Sequence, residues 1–260
     1  MRTLLRLALR LVYLAFIAWL IVCAGIYVMQ RQMLYLPQPR QVATPLLTLP
    51  TPAGDVLVSV KEQAGADALL YFGGNAEDVS FALDELARLF PKHALYLLHY
   101  RGYGGSAGEP GEAALVADAQ SLFDTVHTRH ANVAVIGRSL GSGIAVQLAA
   151  SRPVRRLVLV TPFDSIEAVA ARFYPWLPVR WLLKDSFDSV AHAPRVTAPT
   201  LVLSAGRDQV VPADNTRRLL ERLPPALVAH RAFPEADHDD IAGDAAYGAA
   251  LTKFLRAAPE

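Results

Sequence analysis

Residues 133–143 read Val-Ala-Val-Ile-Gly-Arg-Ser-Leu-Gly-Ser-Gly, and the residues that follow, Ile-Ala-Val-Gln-Leu-Ala-Ala-Ser, keep a helical apolar rhythm. An unbroken apolar run, a glycine-flanked serine and a helix together describe a strand that turns sharply into a helix. Glycines two positions either side of Ser139 allow the backbone close approach that such a turn requires. The turn would present Ser139 at the positive end of the helix, with the Leu140 N–H free for a developing oxyanion.

Working outward, the runs Leu157–Thr161 and Leu201–Gly206 are also continuous rather than alternating. Continuous apolar strands suit a sheet covered on both faces. The predicted strands are 56–62, 68–72, 94–100, 133–137, 157–161, 200–205 and 228–233. Helical patterns lie at 77–90, 113–129, 140–151, 214–223 and 245–256. Strand–helix alternation without a repeat predicts a doubly wound α/β domain, a mostly parallel sheet flanked by helices, whose chemistry gathers beyond the carboxyl ends of its strands.

Two of those ends carry partners for Ser139. Strand 200–205 leads into Gly-Arg-Asp-Gln-Val-Val-Pro, placing Asp208 in the loop, and strand 228–233 leads into Pro-Glu-Ala-Asp-His-Asp-Asp, placing His238. A nucleophilic serine needs a base, and the base needs an acid that holds its tautomer without taking the proton. His99, at the end of strand 94–100, is the rival base, but it precedes Ser139 in the chain. His93, His127, His130, His192 and His230 read as surface, strand or loop residues, and Asp237, Asp239 and Asp240 as solvated charges. A second oxyanion donor is expected in the loop Gly73-Gly74-Asn75-Ala76, with the Asn75 amide as candidate and Ala76 as the fallback.

Five segments in order now carry a resemblance: YFGGNA (71–76), HYRGYGGSAGEP (99–110), GRSLGSG (137–143), AGRDQVVP (205–212) and the His238 loop. Over residues 46–260 the chain resembles the α/β-hydrolase superfamily, and most of all its membrane-anchored Bem46/ABHD-like branch. The resemblance implies a sheet of about eight strands, Ser139 as nucleophile, His238 as general base, Asp208 as its orienting acid, and Asn75 and Leu140 amides as the oxyanion hole. It implies acyl ester, thioester or lipid substrates and no cofactor. Two positions depart from relatives, which commonly show His-Gly-Asn-Ala-Gly where this chain has Gly73-Gly74-Asn75-Ala76-Glu77. Relatives also commonly carry an aspartate where His99 stands.

The insertion 162–199 occupies the place of a cap in that family. Phe173, Tyr174, Trp176 and Trp181 are its candidates for lining an acyl pocket or touching a bilayer; packing on the domain is the competing reading. No carboxylate pair, His/Asp cluster or phosphate-cradling loop points to a metal or a nucleotide.

The amino end is different in kind. Leu11–Met29 is a 19-residue run with no charge and only Gly25 outside the hydrophobic set. As a helix it extends ~28 Å, close to the ~30 Å hydrocarbon core of a bilayer. An uncleaved single span over 11–29 within an anchor at 1–31 is expected; a cleaved signal peptide and a lipidated Cys23 are the alternatives. Arg2, Arg6 and Arg10 before it, against Arg31 and Arg40 after it, favour an inside amino terminus and an outside hydrolase domain. Residues 32–54, with five prolines, read as an extended tether, and 55–260 as the catalytic domain.

Composition limits the remaining classes. Of 260 residues 53% are hydrophobic and 19% charged, which excludes a disordered chain. The net charge of +1 argues against nucleic-acid binding by phosphate neutralisation. It also conceals two parts: four arginines and no acids in residues 1–31 leave 21 basic against 24 acidic residues in 32–260. The single cysteine, Cys23, permits no internal disulfide. The expected activity is ester or thioester hydrolysis of a small-molecule or lipid acyl substrate. A serine peptidase and a non-catalytic binding protein on the same fold are the rivals, and oligomeric state is not legible.

Overall fold

In the computed structural model, which describes residues 1–256, the chain begins with a 33-residue helix, α1 (Arg2–Leu34), about 50 Å long at ~1.5 Å per residue. It extends beyond the apolar run at both ends, and only Cys23 and Gln30 along it are buried. The strands that follow are β1 (Leu46–Thr51), β2 (Gly54–Lys61), β3 (Asp67–Phe72), β4 (Ala94–Leu98), β5 (Asn132–Arg138), β6 (Arg156–Val160), β7 (Thr200–Ala205) and β8 (Val228–Phe233). Between and after them lie α2 (Ala82–Leu89), α3 (Glu112–His127), α4 (Leu140–Ala149), α5 (Ile166–Phe173), α6 (Val179–Leu182), α7 (Ser189–His192), α8 (Ala213–Leu220) and α9 (Ala245–Leu255).

The eight strands form one sheet in the order β1-β2-β4-β3-β5-β6-β7-β8. From β4 to β8 neighbouring strands are parallel, while β1 and β2 close one side antiparallel. Strand β5, which delivers Ser139, is therefore central and buried on both faces, as its Val-Ala-Val-Ile run requires. One face packs Leu70, Val135 and Leu157 against Leu122 and Phe123 of α3 and Ile144 of α4. The other packs Leu69, Ile136 and Val158 against Leu83 and Leu86 of α2 and Leu251 of α9. Each such fully buried side chain stabilises the fold by ~1.5–3 kcal/mol.

The seven expected strands are all present, within two residues at each end. The eighth, β1, lies inside the stretch read as a tether, so 32–54 is not a free linker. Its Pro50 pairs with Asp55 at the sheet margin, where one side of the strand needs no hydrogen-bond partner and proline is tolerated. Residues before it are also fastened: Leu36 N–H donates to Tyr103 Oη (2.9 Å) and Gln41 N–H to Asp78 Oδ2 (2.7 Å).

The helix expected over 77–90 starts later, at Ala82, after a short 3-10 turn at Val79–Phe81. Asp78 stops it from starting earlier, because its carboxylate caps the 3-10 turn through Ser80 N–H. Glu77 is thereby left in the loop after β3, and its side chain enters the site.

Candidate active site

Ser139 stands between β5 and α4 with φ 49° and ψ −117°, a strained conformation for a residue with a side chain. The turn closes because residues 137 and 141 have no Cβ. A Cβ on Gly141 would run into the carbonyls of Phe72 and Gly73, and one on Gly137 into that of Gly141. The Ser139 N–H donates to Val160 O (2.9 Å), tying the turn to β6.

The loops after β7 and β8 bring Asp208 and His238 to this serine. Ser139 Oγ–H donates to His238 Nε2 (2.8 Å), and His238 Nδ1–H donates to Asp208 Oδ2 (2.8 Å). A carboxylate can only accept, so Asp208 holds the proton on Nδ1 and leaves Nε2 as the acceptor facing serine. The other oxygen, Asp208 Oδ1, accepts the amides of Val210 (2.9 Å) and Val211 (2.7 Å), so the acid is itself held in place. Both side chains are under 10% exposed, which limits competition from water for these bonds.

The loop after β3 lies alongside. A Cβ placed on Gly74 would stand 3.8 Å from Ser139 Cβ. The loop carbonyls are engaged elsewhere: Gly73 O accepts Tyr100 Oη–H (2.7 Å) and Gly141 N–H (3.1 Å), and Asn75 O accepts Tyr103 Oη–H (2.6 Å). The Asn75 side chain points away from catalysis, with Nδ2 donating to Leu34 O at the end of α1 (3.1 Å). Among the described residues neither the Asn75 nor the Leu140 backbone N–H has a hydrogen-bond partner.

Glu77 is the site residue whose part the sequence did not disclose. Its Oε2 accepts Gly74 N–H (2.7 Å) and Arg138 Nη1–H (2.9 Å), while Oε1 accepts Tyr71 Oη–H (2.6 Å). Arg138, adjacent to Ser139, also donates through Nη2 to Asp239 Oδ1 (3.1 Å), adjacent to His238. One guanidinium thus bridges the loop after β3 and the histidine loop. Burial works against the Arg138 charge, but Glu77, Tyr71 and Asp239 outweigh it and raise its pKa. Burial and then the Glu77 charge push the Tyr71 hydroxyl well above its ordinary range, keeping it a donor.

The two departures in this loop are neighbours in space. A Cβ on residue 73 would stand 2.6 Å from Val79 Cγ1 and 3.0 Å from Glu77 Cδ, so Val79 first, and the Glu77 carboxylate with it, fill the space beside Gly73. The only sequence signal was the departure itself.

Other expectations sort by distance from this cluster. His99, the rival base, is bonded to Ser59 Oγ (2.7 Å) beneath β2 and does not line the cleft. Burial lowers its pKa to about 4. Asp239, read as merely solvated, is exposed but engaged with Arg138. A cleft of about 580 Å³ opens over Ser139 and His238, with Phe81, Leu86, Leu89 and Tyr247 among its apolar walls. Phe173, Tyr174, Trp176 and Trp181 are not part of that wall and are 44–83% exposed. The physical reason is α1: its carboxyl-terminal half lies against the cap, so Tyr174 lines a separate apolar groove with Ile26 and Met33. Among the described residues no group of three His, Cys, Asp or Glu side chains is placed to hold a metal ion.

With this geometry in view, similarity to known proteins adds a family. A family profile described as serine aminopeptidase, S33, matches residues 69–189. The chain is 36% identical over 216 residues to an uncharacterised protein of Mycobacterium tuberculosis, covering 75% of each chain. It is 28% identical over 201 residues to the protein bem46 of Schizosaccharomyces pombe, covering 72% of this chain and 66% of that one. Among solved structures, the Pyrococcus furiosus esterase Pf2001 superposes with a TM-score of 0.67 at 14% identity, over 85% of this chain and 98% of that one, a likeness of fold alone. Sequence, sheet order and strand-end loops agree that the chain belongs to the α/β-hydrolase family, on the Bem46/ABHD branch.

Proposed function

We propose that this chain is a membrane-anchored serine hydrolase that cleaves carboxylic esters or thioesters through an acyl-Ser139 intermediate. The observation that carries the reading is the unbroken Ser139–His238–Asp208 hydrogen-bond chain, with both links at 2.8 Å. As Ser139 Oγ attacks the substrate carbonyl carbon, its proton passes to His238 Nε2. The carbonyl oxygen becomes an anion, for which the Asn75 and Leu140 amides are the donors; one such donor contributes ~2.7–4 kcal/mol to the transition state. Asp208 stabilises the imidazolium without taking its proton.

Collapse of the tetrahedral intermediate expels the alcohol or thiol, which takes the proton from Nε2. Water then gives a proton to the same nitrogen, its oxygen attacks the acyl carbon, and Ser139 Oγ leaves with the proton as the acid is released. Glu77 and Arg138 are positioning residues here, holding the Gly74 amide and the two loops in register.

Fluorophosphonate labelling of wild type and Ser139→Ala tests the reading. Labelling of wild type alone, with hydrolysis of short-chain p-nitrophenyl esters, is expected; labelling of both, or of neither, would sink it. The profile's description as an aminopeptidase favours a second reading, peptide hydrolysis by the same residues. Faster turnover of aminoacyl anilides than of aryl esters would select it.

For α1, its length and apolar run support a single span of the bilayer, and the arginine asymmetry supports an inside amino terminus with the hydrolase domain on the outer side. A reporter fused at the carboxyl terminus tests that orientation.

A further inference from the structure

We infer that the tip of the cap, residues 173–183, is itself sunk into the bilayer leaflet next to the hydrolase domain, so that cap and α1 form one lipid-embedded unit. The inference rests on the reading of α1 as a membrane span.

The indole of Trp19 donates to Trp176 O (3.1 Å), so the cap touches α1 ten residues before the end of the run at Met29, ~15 Å along the axis. If the membrane surface lay at the level of Trp176, only the eight uncharged residues Leu11–Ala18 would remain below it. They cover ~12 Å, well short of a ~30 Å hydrocarbon core. Arg10, Arg6 and Arg2 come next. A spanning α1 therefore carries the cap tip below the surface.

The chemistry of the tip agrees with that depth. Phe173, Tyr174, Trp176 and Trp181 are 50%, 44%, 54% and 83% exposed, and all three tryptophans of the chain lie on this unit. Water would leave this much aromatic surface uncompensated, whereas lipid chains cover it. Backbone carbonyls in lipid need donors, and two at the tip receive them from α1: Trp176 O from Trp19, and Leu182 O from Gln30 Nε2 (2.9 Å).

A polar belt then appears at the next level. Gln30 Oε1 accepts Lys184 N–H (2.7 Å), Arg31 pairs with Asp185 (2.8 Å), and Lys184 Nζ sits 4.2 Å over the Tyr27 ring. These cations match anionic headgroups and mark the surface roughly where the apolar run ends. Arg180 lies four residues before Lys184, and the long stem of an arginine lets its guanidinium reach toward the surface. The occupant of the uncovered face is thus the acyl-chain layer of the bilayer. The apolar groove of about 220 Å³ between Ile26, Met33, Ala170, Tyr174, Leu177 and Leu183 opens onto the same layer.

The three tryptophans supply the test. The full-length protein is reconstituted into phosphatidylcholine–phosphatidylglycerol vesicles with and without brominated acyl chains, as three single-tryptophan variants. These keep Trp19 (Trp176→Phe, Trp181→Phe), Trp176 (Trp19→Phe, Trp181→Phe) or Trp181 (Trp19→Phe, Trp176→Phe), and fluorophosphonate labelling checks that each is folded. The expected result is blue-shifted emission from all three, most of it lost to bromolipid. Quenching of Trp19 with water-like, unquenched emission from Trp176 and Trp181 would overturn the inference while leaving the span intact. Absence of quenching at all three would overturn the span and the inference together.

Discussion

The Ser139 cleft and the cap tip both stand at the rim of the domain, yet they are built on opposite terms. In the cleft, Glu77 alone accepts three hydrogen bonds, Asp208 accepts three, and the two loops meet through one guanidinium. At the cap tip, four large aromatic side chains are uncovered and the few polar contacts are made with α1. Orientation of charge during a reaction demands fixed dipoles in little water, whereas adhesion to lipid demands area and no direction. The two regions are separate here and α1 touches both: the Leu34 carbonyl accepts from Asn75 Nδ2, and the Trp19 indole donates to Trp176 O.

Substitutions test that division, beginning with the largest effect. Ser139→Ala and His238→Ala should each lower kcat on a short-chain ester by on the order of 10⁴-fold or more, with the fold intact by circular dichroism. Asp208→Asn should cost about 10⁴-fold in kcat, because Nδ1 then loses the acceptor that fixes the tautomer. Near-normal turnover in that variant would mean that another acid serves His238. Glu77→Gln should lower kcat by on the order of 10- to 100-fold with little change in KM, since it weakens the hold on the Gly74 amide and Arg138 without removing an oxyanion donor. A rise in KM alone would make Glu77 a substrate contact instead.

A buried histidine outside both regions gives the control. His99 is neutral in the fold down to about pH 4, whereas an unfolded histidine takes up its proton near pH 6.5. Between those values the unfolded chain binds more protons, so stability falls as pH drops through that window and levels off below it. The full loss approaches about 3 kcal/mol. Urea unfolding at pH 7 and near pH 4.5 should show the slope in wild type and a flatter profile in His99→Gln. The smallest effect belongs to the other region. Trp19→Phe deletes one hydrogen bond to the cap, worth about 1 kcal/mol, and should lower Tm in detergent by about 2–4 °C. No change in Tm would loosen the tie between α1 and the cap on which the comparison depends.

The catalytic candidates were legible because each stands where a buried strand ends, and a continuous apolar run such as that of β5 or β7 announces its own end. Asp208 and His238 are 30 residues apart in the chain, yet parallel neighbours β7 and β8 deliver them to one point. β1 was not legible, since Pro45, Pro50 and Pro52 read as a tether and only the margin of the sheet makes Pro50 acceptable. For the cap aromatics the sequence leaves pocket wall, bilayer contact and packing all open, because composition shows what is apolar and not what it faces.

By itself, then, the sequence determined the α/β architecture, the sharp turn at Ser139 and the strand-end places of Asp208 and His238, all set by local periodicity, small residues and strand-end position. Tertiary structure alone decided the rest. It turned Glu77 onto Gly74, Tyr71 and Arg138, paired Arg138 with Asp239, buried His99 against Ser59, and laid α1 along the cap. Those contacts join residues from 3 to 157 positions apart, four of the six pairs by at least 40, and no local pattern encodes a partner that only packing brings within reach.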